Sequence, residues 1–435
     1  MATSIGIMAF IALFVMLILT VPIGVAMALA GMGGTAAIIG IHPAISLFAT
    51  TVFETTVTYE LSIVPLFVLM GAIAARSGLS RELYEVFNAW LGMFRGGLAI
   101  ATVGACGAFA AICGSSVATA ATMSKVALPE MKRLGYSDSL ATGAVASGGV
   151  IGILIPPSVI LVLYGILTET SIGDLFIAGV VPGLLTVIVF MLVISAVTRL
   201  YPNLGPAGPK HTWAEKFAAL ARTWAILILF ALVIGGIYIG VFTPTEAAGV
   251  GAVGALVIST LRGRMTFTIL REAMLETVQT SAMIFTILMG AITLNNLTIF
   301  SGIAGAMGGF VSGLDMHPMA VMAVILLIYL VLGCFLDSLA MILLTVPIFF
   351  PIVTQLGFDP VWFGIIVVMV AELGLITPPI GMNVFVIKGM APDVPLKAIY
   401  VGVLPFVLGQ IILISLVFLL PEIALWLPDT ARSFR

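Results

Sequence analysis

Charge is scarce in this sequence: Lys, Arg, Asp and Glu make up only 8% of its 435 residues. A soluble globular domain carries about 25%, so a soluble fold is excluded. The net charge of −2 also excludes a nucleic-acid partner, whose phosphates demand clustered Lys and Arg. Histidine and cysteine are rarer still, with three of each. His42, His211 and His317 fall in expected loops. Cys106, Cys113 and Cys334 have neither metal-type nor redox-type spacing and read as small apolar packers. With no serine–histidine arrangement, no paired aspartates within spans and no metal-binding His motif, no enzyme and no cofactor is expected.

What the chain has in excess is apolar surface, with 61% hydrophobic residues and a mean hydropathy of +1.28. It reads as an all-α polytopic protein whose solvent is the lipid bilayer. The first apolar run, Ile5 to Thr20, lacks a basic leader and a small-residue cleavage site, and is expected to be a retained span.

An internal echo organises the rest. Ile151-Gly-Ile-Leu-Ile-Pro-Pro157 returns 222 positions later as Leu373-Gly-Leu-Ile-Thr-Pro-Pro379. The same offset pairs Ser115-Ser116 with Asp337-Ser338, Leu128-Pro129 with Phe350-Pro351, Gly135 with Gly357, and Val21-Pro22 with Thr243-Pro244. Proline has no N–H and clashes with the carbonyl four residues back, so each Pro-Pro pair breaks an apolar helix. The breaks free the carbonyls of Gly152, Ile153, Gly374 and Leu375. Lipid tolerates freed carbonyls only where protein, water or a cation satisfies them, and paired breaks of this kind mark transport sites.

Windows of about 20 apolar residues place spans near 5–20, 22–40 and 60–75, a hairpin at 97–129, a broken helix at 139–166 and a span at 180–198. The second half repeats this with 223–242, 245–261, 276–298, a hairpin at 319–351, a broken helix at 362–388 and a span at 399–420. Residues 1–200 and 223–435 are then two repeats joined by a proline-bearing connector, 201–222. The first hairpin has Arg95, Lys132 and Arg133 at its mouth, whereas the matching stretches of the second hold no Lys or Arg. Basic residues mark the cytoplasm, so the two hairpins enter from opposite faces and the repeats are inverted. Of the 17 basic residues only Arg432 and Arg435 then fall outside, with both termini periplasmic. Arg81 to Phe94 is expected as an interfacial arm helix, with Ile303 to Met316 as its weaker mate. Asn295-Asn296 reads as a solvated turn.

Two candidate cation sites follow. At the first tip, Gly114, Ser115, Ser116 and Thr119 supply hydroxyl and backbone oxygens suited to a hard cation, closed by Gly152, Ile153 and Pro156 of the first break. At the second, Asp337 and Ser338 meet Gly374, Thr377, Gly381, Met382 and Asn383. Asp337 is the central candidate, because a carboxylate at membrane depth is costly and usually functional, although it also suits a helix N-cap. With no arginine between Arg133 and Arg199 or between Arg271 and Arg432, an anionic substrate would rely on half-helix N-termini with Ser116, Pro157, Ser158, Pro379 and Asn383. Lys125 and Lys388 are further candidates, and both are long enough to snorkel to the surface. Glu372 could balance a cation or carry a proton.

Cys113-Gly-Ser-Ser116, Leu154-Ile-Pro-Pro-Ser158, Phe335-Leu-Asp337, Pro347-Ile-Phe349 and Leu375-Ile-Thr-Pro-Pro-Ile-Gly-Met-Asn383 resemble, in order and spacing, segments of the large membrane (M) subunit of the TRAP transporters, the tripartite ATP-independent periplasmic family. The resemblance implies a sodium-driven importer of small organic acids in a bacterial or archaeal inner membrane. It also implies an elevator-type ion-transporter fold, a periplasmic substrate-binding protein and a small four-helix membrane subunit on a separate chain. A stand-alone sodium- or proton-coupled carboxylate symporter or antiporter of a related hairpin fold is the alternative.

Overall fold

The computed structural model describes residues 2–313 and 316–434. Among the described residues every regular element is a helix. An apolar solvent requires this, because a helix satisfies its backbone groups internally. Tyr59–Arg76, Ile172–Leu200, Pro244–Leu261, Phe267–Ser301, Ser338–Gln355 and Leu396–Leu419 are long and apolar enough to cross a membrane. The chain is a multi-pass membrane protein.

The first hairpin is Gly97–Cys113 with Ser116–Arg133, turning at Gly114-Ser115. The second is Pro318–Gly333 with Ser338–Gln355, turning through Cys334 to Asp337. The second helices of the two hairpins begin and end 222 positions apart. The first broken helix is Asp138–Val150 with Val159–Thr168, and the second is Pro360–Gly374 with Met382–Met390. Both Pro-Pro peptide bonds are cis.

Several boundaries differ from the sequence reading. The hairpins run past 129 and 351 because Pro129 and Pro351 sit inside their helices, where tertiary neighbours tolerate them. The span expected at 180–198 begins at Ile172 and contains Pro182. The span expected at 276–298 is the middle of the 35-residue helix Phe267–Ser301. Asn295 and Asn296 are therefore helical rather than a turn, and Asn296 Nδ2 donates to Thr51 Oγ1 at 3.5 Å. Between the halves, Trp224–Phe230 passes through a π-turn at Ala231–Gly235, and the run is bent 49° from Trp213–Arg222.

Helices Ile41–Val57, Trp213–Arg222 and Glu422–Phe434 had no counterpart in the sequence reading. The first arm helix is Leu79–Leu91, with Glu82 clamped by Arg262 Nη1 at 2.8 Å and Arg264 Nη2 at 2.6 Å. Its mate is Ile303–Gly313. The expected end at Met316 crosses Leu314 and Asp315, which lie outside the described residues.

Helix Ile23–Ile39 packs on Phe267–Ser301 at backbone distance. A Cβ on Gly24 would stand 2.7 Å from the Thr286 carbonyl oxygen, and one on Gly31 2.7 Å from that of Thr293. Small residues permit this approach between membrane helices. Phe267–Ser301, so packed, also lines the space beside the hairpin tips.

Candidate functional site

The first tip turns at Gly114, whose φ of +62° is a left-handed conformation that glycine adopts without a Cβ penalty. Ser115 then caps the following helix, its Oγ accepting from the Ala118 amide at 3.3 Å. The Ser115 carbonyl accepts from Thr119 Oγ1 at 2.7 Å and from the Thr119 amide at 3.1 Å. The first break lies directly on this turn. A Cβ on Gly152 would come within 2.7 Å of the Ser115 carbonyl and 2.9 Å of Thr119 Oγ1, and one on Gly114 within 2.7 Å of the Pro157 carbonyl. Gly114, Ser115, Thr119, Gly152 and Pro157 therefore converge.

At the second tip, Asp337 Oδ1 accepts from the Leu339 and Ala340 amides at 2.9 and 3.1 Å. The carboxylate thus caps its helix through one oxygen, a charge-assisted arrangement at a positive helix end. The second break rests on the same hairpin: Gly374 packs on the Gly333 backbone, where a Cβ would meet the Gly333 Cα at 2.6 Å. The Gly381 amide donates to the Cys334 carbonyl at 3.4 Å.

Protein donors occupy three of the four carbonyls that the prolines free. Ser158 Oγ donates to Ile153 O at 2.5 Å, the Thr377 amide to Gly374 O at 3.2 Å, and the Asn383 amide to Leu375 O at 3.0 Å. A cation at these oxygens would share them with an existing donor, which a carbonyl with two lone pairs permits.

Both tips open into one cavity of about 440 Å³, lined by Ser115 and Ser116 from the first and Asp337 and Ser338 from the second. Ile153, Leu375 and Met382 of the breaks also reach it. The opposite wall comes from Ile63–Arg76 and Phe267–Ser301, where Gly71 lets the first tip approach: a Cβ there would be 2.9 Å from the Cys113 carbonyl.

Other candidates lie elsewhere. Ser158 is fully buried and its hydroxyl also caps Leu161 N at 3.3 Å. Thr377 Oγ1 donates back to Leu373 O at 2.6 Å. Pro379 is exposed, with its carbonyl accepting from Tyr400 OH at 2.7 Å. Asn383 is buried behind the second break, its Nδ2 donating to Ala146 O at 3.4 Å while its Oδ1 has no partner. Glu372 is fully buried in its helix with neither carboxylate oxygen bonded. Lys388 Nζ folds onto the carbonyls of Pro392 and Val394 at 2.8 Å each, and Lys125 lines a separate groove with Lys132 and Asp393. No lysine lines the cavity between the tips among the described residues.

Sequence reasoning missed the wall. Glu276, Thr280, Met283, Ile284 and Ile287 line the cavity from one helix face. Glu276 accepts from Arg76 Nη2 at 2.9 Å, and the same guanidinium also meets Glu272. The signal was present as polar positions four apart, 272, 276 and 280, at helical spacing.

The model of the family described as "Tripartite ATP-independent periplasmic transporter, DctM component" matches residues 10–423. The C4-dicarboxylate TRAP transporter large permease protein DctM of Pseudomonas aeruginosa is 38% identical over 401 residues, covering 92% of this chain and 93% of that protein. The sialic acid TRAP transporter large permease protein SiaM of Vibrio cholerae is 33% identical, covering 85% and 86%. The ectoine/5-hydroxyectoine TRAP transporter large permease protein UehC of Ruegeria pomeroyi is 34% identical with the same coverage. Among solved structures, the YdaH transporter of Alcanivorax borkumensis is similar in fold, with a TM-score of 0.61 at 16% identity over 88% of this chain and 89% of that one. By this match over nearly its whole length, the chain belongs to the DctM-component family, the large permease subunits of the tripartite ATP-independent periplasmic transporters.

Proposed function

We propose that this permease subunit imports a small organic acid by coupling it to sodium, with the cation sites at the two hairpin tips and the substrate between them. The observation that carries this reading is the shared cavity of about 440 Å³, which joins Ser115 and Ser116 to Asp337 and Ser338. Two tips from separate halves, each capping a helix and each pressed on a Pro-Pro break, give a cation two backbone-rich sites beside one substrate space. The relatives named for a C4-dicarboxylate, sialic acid and ectoine take solutes that each carry a carboxylate.

The chain sits in the bacterial or archaeal inner membrane with both termini in the periplasm, an orientation supported by the placement of basic residues. In that orientation the cavity residues Ala75 and Glu276 lie toward the cytoplasmic ends of their helices, which supports an inward-facing reading. Transport then moves the hairpins and breaks together as an elevator against the wall of Ile63–Arg76 and Phe267–Ser301. A periplasmic binding protein delivers the solute, and a small four-helix subunit is contributed by another polypeptide.

The test is sodium-gradient-driven uptake of a mixed pool of organic acids into proteoliposomes, with and without the two partners. Uptake that needs sodium and all three components is the expected result. Uptake by this chain alone would replace the tripartite reading with a stand-alone carrier. Uptake indifferent to sodium would remove the cation sites.

A further inference from the structure

A groove of about 400 Å³ lies where the first hairpin leaves the membrane beside the end of Ile172–Leu200, and two of its lining residues are Arg95 and Arg199. No carboxylate lines it, and neither guanidinium has a carboxylate partner among the described residues. The other three arginines of the same half, Arg76, Arg81 and Arg133, each meet a glutamate. Two cations that line one groove without a carboxylate favour an anion there.

The groove is built rather than incidental. The Gly96 amide donates to the Gly205 carbonyl at 2.9 Å, a Cβ on Gly96 would stand 2.8 Å from Thr198 Cγ2, and Thr198 Oγ1, whose shorter bond runs to Ile194 O at 2.8 Å, lies 3.3 Å from the Arg95 carbonyl. These contacts hold the backbone at Arg95 and Gly96 against the end of the helix that carries Arg199 and the loop that follows it. Below the arginines the surroundings are apolar: Phe94 is 50% exposed. Leu184, Ile188 and Leu192 stand four residues apart on the Arg199 helix, and are 54%, 50% and 62% exposed. Residues at that spacing share one face, and Arg199, seven beyond Leu192, continues it.

We propose that this groove binds an anionic phospholipid of the cytoplasmic leaflet, the phosphate held by Arg95 and Arg199 and an acyl chain laid along Leu192, Ile188 and Leu184. Basic pockets at the cytoplasmic ends of membrane helices take such headgroups, and the guanidinium fork matches phosphate oxygens in pairs. Free phosphate would satisfy the arginines alone and leave the apolar track unused. The leaflet assignment rests on the orientation proposed above. The binding geometry does not.

Native mass spectrometry of the purified chain in neutral detergent tests this, with phosphatidylglycerol, phosphatidylcholine or inorganic phosphate added. Wild type is expected to retain phosphatidylglycerol preferentially. Arg95→Gln/Arg199→Gln is expected to bind it about 30-fold more weakly, the loss of about 1 kcal/mol for each arginine. Arg81→Gln, an exposed and already paired position, should bind as wild type does. Equal retention of phosphatidylcholine, equal binding by the double variant, or phosphate competing as well as lipid would overturn the proposal. A second readout needs no variant: phosphatidylglycerol should shield Arg95 and Arg199, but not Arg81, from phenylglyoxal, and equal labelling of all three would contradict it. Neither measurement involves transport, so failure of the uptake assay would leave this inference standing and its own failure would leave the uptake reading untouched.

Discussion

The tips Cys113-Gly-Ser-Ser116 and Leu336-Asp-Ser338 occupy the same place in their two halves, yet only one carries a charge. Both begin a helix whose first amides need an acceptor. Ser115 meets that need with a hydroxyl bond of 3.3 Å, and Asp337 with one carboxylate oxygen taking two amides at 2.9 and 3.1 Å. The second tip thus places a negative charge beside the shared cavity, with Oδ2 taking no protein partner among the described residues. The first places only dipoles there. The pairing teaches that one backbone plan can be loaded unequally: on the proposed sodium coupling, the second tip would draw a cation by charge, and the first would depend on how closely Gly152 lets the break approach the Ser115 carbonyl.

The largest effect should come from removing the charge. Asp337→Ala is expected to lower sodium-driven uptake by at least about 100-fold while the protein still inserts. Asp337→Ser, which keeps a capping oxygen, should lose nearly as much, and uptake restored by Ser would reduce Asp337 to a cap worth about 1 kcal/mol. Next comes the closeness of the first break. Gly152→Ala places a methyl 2.7 Å from the Ser115 carbonyl, forcing tip and break apart. Its half-saturating sodium concentration should rise about tenfold or more, and an unchanged value would break the comparison on the uncharged side.

Ser115→Ala should act less than either. It removes a neutral cap worth about 1 kcal/mol and leaves the Ser115 carbonyl in place, so melting should shift slightly and sodium affinity by a few-fold. A loss as deep as that of Asp337→Ala would mean that the two tips are electrostatically equivalent. Away from both tips, Glu82→Ala leaves Arg262 and Arg264 without their shared carboxylate, which is 7% exposed. Because the arginines themselves reach water, the cost should be on the order of 2 kcal/mol, visible in thermal unfolding with sodium affinity unchanged.

The smallest effect is expected from the exposed pair of Lys132 and Asp393. The Lys132 ammonium holds the Asp393 carboxyl below its usual range. Any stabilisation from a carboxylate with a lowered pKa is present above its unfolded value and disappears only as pH falls through the lower folded one. Asp393→Asn should therefore melt slightly below wild type from neutral pH down to about 5, where the carboxylate is ionised, and the gap should close as pH falls below the ordinary Asp value of about 3.9.

Much of this was legible because the information was local. A proline pair breaks a helix wherever it sits, and Ser115 and Asp337 announce caps by residue type, so the hairpins and breaks could be placed from the sequence offset. Ile41–Val57 was hidden by its threonines and by His42-Pro43, which read as a loop. Trp213–Arg222 is too polar to register as a span. Its capping box, Thr212 with Glu215, marks the helix start in the sequence itself. The site was legible only in part. That Asn383 would turn behind the break toward Ala146, or that Glu276 would face Asp337 across one cavity, depends on packing between segments far apart in sequence, which no periodicity records.

Radioactive sodium binding to the purified permease, with Asp337→Ala and Gly152→Ala alongside wild type, tests the two-tip account most directly. The account expects wild type to bind sodium in two classes of site, with each variant abolishing or weakening a different one. Sodium binding unchanged in both variants, or lost identically in the two, would contradict it.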